Sequence, residues 1–547
     1  MSTEPAALPS ASVAAREART EVAGALVACN PLPRWLARFS QRFPGFTARY
    51  LALDPRSLGL VRIYLGCLLL ADLLRRIPHL STWYTNAGPL PNHVLLWRPI
   101  AEYQFSLFFL VTHRGEAVFL FVLCGLVFAL FAAGYRTRLM HFLSLVAICS
   151  LHNRVAMFED GSEVTTRLLT FWTLFLPLGA RFSFDAVRAA AVSGVETRDV
   201  RPAISLAVPC ILLQVALLYT FNVLHKTGDT WRDGTAVHYV LHQDRIVTWL
   251  GWQLRPFVTL GASRFMTYSA VLTEAVLPLL ILSPIATKLT RRVAIMFAIG
   301  LHAGFALLLN LGMFSFNMLG FFLLLLSDRD WAWLARLPHA ATRRIESFVR
   351  RWVDAWGCRP QAPPSPLRRR FAAVATQGRE ALVVLFAIAL GSQMMVENQS
   401  LPEALRVRHQ PLALRLLVEY PRFMEGWSMF APEAPKHDSL LIVDAITVEG
   451  RHVDPINELA SRVSSVPVSG IPEYLDQDDT WCDYTTNIVG REDYYGTLAE
   501  FIRAYPKRTH RARDRIESFE VWLLEDDSPP PGESKPSNPR RSLVLKE

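Results

Sequence analysis

Ionisable side chains are scarce in the apolar stretches of this 547-residue chain, and they fall at a few places. Arg62, Arg154, Arg167, His152, His225, Lys226, Glu274 and His302 each lie inside or at the end of an apolar run. A charge at such depth is costly and is kept where it is paired or does work. Lys226 closes the run Leu217-Leu-Tyr-Thr-Phe-Asn-Val-Leu-His225 and precedes Thr-Gly-Asp-Thr-Trp231. Two readings fit it. A lysine at a helix end can snorkel to water. A lysine held in an apolar pocket is different: desolvation disfavours its ammonium, and the neutral amine can accept a proton near neutral pH.

The other groups have simpler structural readings. His302 is expected to hydrogen-bond a neighbouring helix, and Glu274 to pair with one of the arginines. His152 and Asn153 are placed to cap a helix, with Arg154 at the membrane interface. Asn222, Asn310 and Asn317 are expected to bond between helices, each contributing about a kcal/mol. No nucleophile elbow, phosphate-binding loop or dinucleotide fingerprint is found. The cysteines at 29, 67, 124, 149, 210, 358 and 482 have no metal-site spacing. Four of them, Cys67, Cys124, Cys149 and Cys210, sit in apolar segments as small hydrophobes. Neither a metal nor a disulfide framework is expected.

The elements that must position these groups are membrane helices. Hydrophobic residues make up 51% of the chain, and mean hydropathy is +0.22 despite charged tails. The apolar residues come in blocks of about 17 to 22, the length that crosses a hydrocarbon core. The predicted spans are Leu58–Leu74, Ala117–Ala133, Leu139–Leu151, Val164–Leu178, Ile204–Leu224 and Met266–Leu282. Residues 293–326 form two more, broken at Asn310-Leu311-Gly312, and Ala381–Met395 forms a ninth. A short apolar piece, Phe105–Val111, reads as interfacial. Leu440–Val448, Glu449-Gly450 and Arg451–Val453 read as strand, turn and strand.

The expected fold is therefore an all-α polytopic membrane protein of about nine transmembrane helices with a small C-terminal α+β extracytoplasmic domain. Its parts are a basic cytoplasmic tail (1–53), a membrane domain of about eight helices (54–330), a basic linker (331–380) and the ninth helix (381–397). An extracytoplasmic domain (398–527) and a disordered tail (528–547) complete it. The tail holds a short amphipathic helix at Trp35–Phe43. Leu26-Val27-Ala28-Cys29 looks like a lipoprotein cleavage box, but its apolar stretch of roughly seven residues is too short and adjoins Glu21. The net charge of +9 reads as topology, with no nucleic-acid partner expected. With the N-terminus cytoplasmic, the inside loops carry roughly 27 Lys and Arg against roughly 8 outside. That orientation puts Lys226 and the C-terminal domain on the periplasmic or extracellular side of the cell membrane.

Several motifs together resemble a known family. They are Asp54-Pro-Arg-Ser-Leu-Gly-Leu-Val-Arg62, Leu151-His-Asn-Arg154, Phe175-Leu-Pro-Leu-Gly179 through Ser183-Phe-Asp185, His225-Lys226 with Trp231, and Gly234-Thr-Ala-Val-His-Tyr239. His302 through Gly312-Met-Phe-Ser-Phe-Asn-Met-Leu319 and, more weakly, Gly426-Trp-Ser-Met-Phe-Ala-Pro432 extend the match. This is similar to the horizontally transferred transmembrane (HTTM) domain of vitamin K-dependent gamma-carboxylases and their bacterial relatives. The resemblance implies that Lys226 is a catalytic base that deprotonates reduced vitamin K or menaquinone. With O2 the quinol becomes an epoxide, and the strong base formed removes a glutamate γ-proton so that CO2 can add. It also implies quinone-binding roles for His152, Asn153, His302 and Trp231. The partners implied are membrane lipid, the quinone and a secreted peptide or protein substrate. The run Leu151-His152-Asn153-Arg154 departs in order from the family's Asn-Asn-His stretch, and the C-terminal part is shorter than the animal substrate-binding domain. Two readings from other classes stand beside the enzyme: a non-catalytic protein for maturation or export of a secreted peptide, and a structural membrane scaffold.

Overall fold

The computed structural model describes residues 32–193, 202–334, 366–398, 400–461, 471–472, 474–475, 477–533 and 540–547. The first 31 residues, with the Leu26–Cys29 box, and residues 335–365 of the basic linker lie outside the described residues.

Among the described residues, nine helices follow the apolar blocks. They are α1 (Pro55–Arg76), α2 (Arg114–Ala133), α3 (Thr137–Arg154), α4 (Gly161–Leu174), α5 (Ala207–His225), α6 (Leu260–Leu282), α7 (Thr287–Leu308), α8 (Phe314–Leu323) and α9 (Pro366–Glu397). Among the described residues, six helices are long and apolar enough to cross a membrane: α1, α2, α5, α6, α7 and α9. The other three fall short for identifiable reasons. Helix α3 ends in His152-Asn153-Arg154, α4 has 14 residues, and α8 has 10.

Local chemistry sets the boundaries. Asp54 caps α1 by accepting from the Arg56 amide, with Pro55 at the first helical position. Asp160 caps α4 by accepting from the amides of Ser162 and Glu163. Helix α4 is buried from Ser162 to Thr173, so its polar groups must be satisfied inside. Thr165, Thr166, Thr170 and Thr173 do so by donating to carbonyls one turn back. Between α7 and α8 the chain breaks at Asn310–Gly312 as the sequence predicts, with Gly312 at φ +54°. A side chain at Gly312 would also meet Ser162 and Asp479 at 2.9 Å.

Arg62, deep in α1, is structural. It donates to the carbonyls of Ala132 (3.2 Å), Leu178 (3.2 Å), Arg181 (3.0 Å) and Phe182 (2.5 Å), tying α1 to the α2 end and the segment after α4. Arg154 likewise donates to the carbonyls of Thr85 and Leu90.

Among the described residues there are two antiparallel sheets. β1 (Ala52–Leu53) pairs with β2 (Ala203–Ile204). The C-terminal sheet has order β4-β3-β5-β6, from β3 (His437–Thr447), β4 (His452–Val453), β5 (Ile516–Asp527) and β6 (Arg540–Lys546). The predicted strand-turn-strand is there, with Gly450 at φ +73° in the turn. Two boundaries are corrected. The supposed disordered end holds β6, which covers the free edge of β5. Helix α9 begins at Pro366 rather than 381, inside the supposed linker. The amphipathic helix expected at Trp35–Phe43 is present as Arg34–Arg42, and a second short helix, Pro44–Tyr50, follows it.

The C-terminal domain sits on the membrane domain. Trp83 meets Trp481 at 4.5 Å and Tyr484 at 5.2 Å between ring centroids, and Arg75 at the α1 end pairs with Asp479. One hydrophobic core runs from α1 into β3 and β5.

Candidate functional site

Lys226 is the residue after α5, at the point where the helix yields to the Gly228 turn. Its side chain is 4% exposed, so it does not snorkel to water. Nor is its amine alone. Nζ lies 2.5 Å from Oε2 of Glu274, itself 3% exposed on α6. This corrects two expectations together: the lysine is dry but carboxylate-bound, and Glu274 pairs with it rather than with an arginine. The reason is the α5–α6 packing. Asn222, one turn before Lys226, lies on the same face of α5 and donates to Glu274 Oε1 at 2.9 Å. The carboxylate therefore has a donor on each oxygen. Lys226 Nζ also stands 4.4 Å from the Trp231 ring centroid, a cation–π distance.

A segment that the sequence marks only faintly roofs this group. Residues 425–433 fold over the end of α5. Met429 N donates to Asn222 Oδ1 (3.0 Å), Trp231 Nε1 donates to the Phe430 carbonyl (2.9 Å), and the Gly228 amide donates to the Pro432 carbonyl (3.0 Å). His225 Nδ1 lies 2.8 Å from the Trp427 carbonyl oxygen. Glu433 accepts from the Thr230 amide at 3.0 Å, from its hydroxyl at 2.8 Å, and from the Asp229 amide.

Beneath this roof is a cavity of about 400 Å3, lined by Lys226, Glu274 and Trp231 and otherwise by mostly apolar residues of α6, α7, the 237–241 segment and the roof. His302 is adjacent. It is buried on α7, hydrogen-bonds Tyr219 Oη at 2.7 Å across to α5, and lines a smaller void that also touches Glu274 and Asn222. The expected interhelical bond is therefore present, and its ring stands behind the carboxylate rather than in the main cavity.

His152 and Asn153 are not brought to this cavity. His152 Nε2 lies 3.2 Å from Asp72 in a fully buried ionic group with Arg76 and Glu163. Asn153 donates to the carbonyls of Phe105 and Tyr420, and its oxygen accepts from Arg167. Arg167 in turn pairs with Glu159. The altered order of that run was the one signal that these two residues serve another place.

A second cavity, of about 510 Å3, lies between the membrane domain and the C-terminal domain. It is the more polar of the two, with Asp160, Asp479, Asp483 and Arg245 in its wall, and it shares Met429 and Phe430 with the first cavity. Burial pushes the Asp160 carboxyl up to about 6, with the negative charge of Asp479 adding to the effect. No group of three or more His, Cys, Asp or Glu among the described residues has the arrangement of a metal site.

Comparison with known proteins agrees with this architecture. The HTTM domain family matches residues 50–331, which hold α1 to α8 and the whole Lys226–Glu274 cavity apart from its roof. An uncharacterized protein of Bacillus subtilis (strain 168), YitO, is 28% identical over 240 residues, covering 42% of this chain and 74% of that protein. No solved structure matches.

Proposed function

The chain belongs to the HTTM domain family, and on that premise we propose that it is a membrane quinol-oxidising enzyme whose proton acceptor is the Lys226–Glu274 pair. The observation that carries this reading is a dry amine–carboxylate pair in the wall of a mostly apolar cavity of about 400 Å3. Such a cavity has the size and lining of a small-molecule site with a few convergent polar groups. Its residues suit a reduced vitamin K or menaquinone: apolar walls for the ring and tail, and two titratable atoms for one phenolic hydroxyl.

The pair has a definite role in proton bookkeeping. Lys226 Nζ and Glu274 Oε2 together hold one shared proton and carry no net charge, the cheapest state in a low dielectric. With that proton on the Glu274 carboxyl, the neutral Lys226 amine takes a second one from a quinol hydroxyl, which makes the pair cationic beside the anion it has just created. Trp231 faces that cation, and Asn222 keeps Glu274 oriented. The bound quinol supplies the oxygen chemistry, in which quinol and O2 yield quinone epoxide and water. Carboxylation of a glutamate side chain with CO2 is the further step that the resemblance implies.

Purified protein in nanodiscs, given menaquinol and O2, is expected to accumulate menaquinone epoxide at a rate proportional to enzyme. Oxidation to the plain quinone alone, at the rate of empty nanodiscs, removes the reading. A second reading draws on the polar cavity beside the site: a secreted peptide is bound there for maturation or export without catalysis. It predicts peptide binding with no epoxide formed.

The same proposal carries the topology of nine crossings, with the N-terminus cytoplasmic and the C-terminal domain outside. Gln253→Cys and Glu449→Cys should then react with an impermeant maleimide added to intact cells, and Lys288→Cys should not. The opposite pattern inverts the orientation and moves Lys226 to the inner face.

A further inference from the structure

Ahead of α1 stand the two short helices Arg34–Arg42 and Pro44–Tyr50, which meet at Phe43. Their place is fixed by α5, α6 and α7. Tyr50 Oη donates to the carbonyl of Leu282, the last residue of α6, at 2.8 Å. Arg291, near the start of α7, donates to the Arg49 carbonyl at 2.6 Å. The Ser205 amide, just before α5, donates to the Leu51 carbonyl at 3.0 Å. The two helices therefore stand level with the ends of three spans, at the opposite end of α5 from Lys226. In a bilayer that level is the headgroup region.

Their sequence has two faces. At about 100° per residue, Arg34, Arg38 and Arg42 fall in one arc and Trp35, Leu36, Phe39 and Phe43 in the next. The aromatic face continues across the junction. Phe39 meets Phe43 at 5.0 Å and Phe46 at 5.8 Å between ring centroids, and Phe46 meets Tyr50 at 5.1 Å. Leu36 is buried at one edge of this face, whereas Trp35, Phe43 and Phe46 are 53%, 45% and 48% exposed. Half-exposed aromatic rings beside arginines are the make-up of a helix lying in the membrane–water interface. The charges give the partner. Other cations at this end are matched inside the chain: Arg56 pairs with Asp54 (2.6 Å), Lys288 with Asp328 (2.8 Å) and Arg292 with Asp330 (2.6 Å). Arg34, Arg38, Arg42 and Arg49 are exposed, and among the described residues no carboxylate pairs with any of them.

We propose that Arg34–Tyr50 is a binding element for anionic phospholipid, in which the aromatic face enters the headgroup layer and the four arginines hold phosphodiester groups. Guanidinium suits this role because it binds phosphate oxygens through two parallel N–H donors. A zwitterionic headgroup offers the same phosphate together with a cation of its own, so phosphatidylglycerol is preferred over phosphatidylcholine. The element anchors the membrane domain at the end away from Lys226, whatever reaction that lysine serves.

The test is native mass spectrometry of the full chain in detergent, titrated with phosphatidylglycerol or with phosphatidylcholine of the same acyl chains. Wild-type protein is expected to bind phosphatidylglycerol roughly ten-fold more tightly or better. Arg34→Gln, Arg38→Gln and Arg42→Gln combined should bring that preference to within about two-fold. Lysine at the same three positions keeps the charge and should keep most of the preference. Salt at about 0.5 M should shrink it as the glutamines do, and needs no variant to fold. Trp35→Ala with Phe46→Ala should weaken both lipids by a similar factor and leave the preference standing. Equal binding of the two lipids by wild type overturns the proposal. So does a preference that survives the three glutamines or the salt. Unchanged binding after Trp35→Ala with Phe46→Ala removes the aromatic face from the headgroup layer and overturns it as well. Deletion of residues 2–31 should leave the preference intact, and its loss there would move the site to that segment instead.

Discussion

Lys226→Ala is expected to bring epoxide formation down to the rate of empty nanodiscs. Loss of a positioned general base costs roughly 10²- to 10⁴-fold, and here the substitution leaves Glu274 with Asn222 as its one remaining partner of the present two. Lys226→Arg is the sharper variant. An arginine can keep the ion pair and the contact with Trp231, but it holds its proton at any working pH. Stability should therefore stay near wild type while activity falls as far as with alanine. If arginine supported turnover, the lysine would be a charge that orients substrate and not a proton acceptor. Glu274→Gln separates the partners. It keeps a neutral hydrogen-bonding group beside Nζ, so turnover is expected to fall by less, about ten- to a hundred-fold. Equal epoxide from wild type and Lys226→Ala would take the pair out of the mechanism altogether.

The pair also shows why the site was half legible in the sequence. Lys226 stands out because a lysine at the end of a largely apolar run has few places to go. Glu274 stands out for the same reason, 48 residues later. What links them is the packing of α5 on α6, which no local pattern encodes, so Glu274 was assigned to an arginine. Asn222 held the missing clue: one turn before Lys226, it puts a second polar group on the same helix face. Six of the nine expected spans were readable because hydrocarbon thickness imposes a length on them. Even the break at Asn310–Gly312 showed through, because two crossings could not fit without it. The roof at 425–433 was much fainter. Its function is in main-chain hydrogen bonds, and main-chain groups are the same whatever the side chains. β6 was missed for a related reason: a seven-residue edge strand beside a Pro- and Ser-rich stretch gets its order from the strand it pairs with.

His152 carries the other strong prediction, through the carboxylate it touches. Asp72 accepts from Arg75 Nε (2.9 Å), Arg76 Nε (3.0 Å) and His152 Nε2 (3.2 Å), while Arg76 reaches Glu163 (2.8 Å) and Tyr84 Oη (3.0 Å). Asp72, Arg76, His152 and Glu163 are all nearly inaccessible. Removing one charge from a buried network leaves the others uncompensated, at about 3–5 kcal/mol. A domain typically has about 5–15 kcal/mol in hand, so Asp72→Ala should remove much of the fold's margin. The expected result is a large fall in Tm and in the yield of monodisperse protein in detergent. Replacing Asp72, Arg76 and Glu163 together by leucine should recover part of that loss, because each buried charge then goes with its partner. The same network decides what His152 is for. If the histidine serves the ion group, His152→Gln lowers Tm and leaves menaquinone affinity within about two-fold. A His152→Gln protein with unchanged Tm and weakened menaquinone binding would return that residue to the quinone site, from which its burial against Asp72 now separates it.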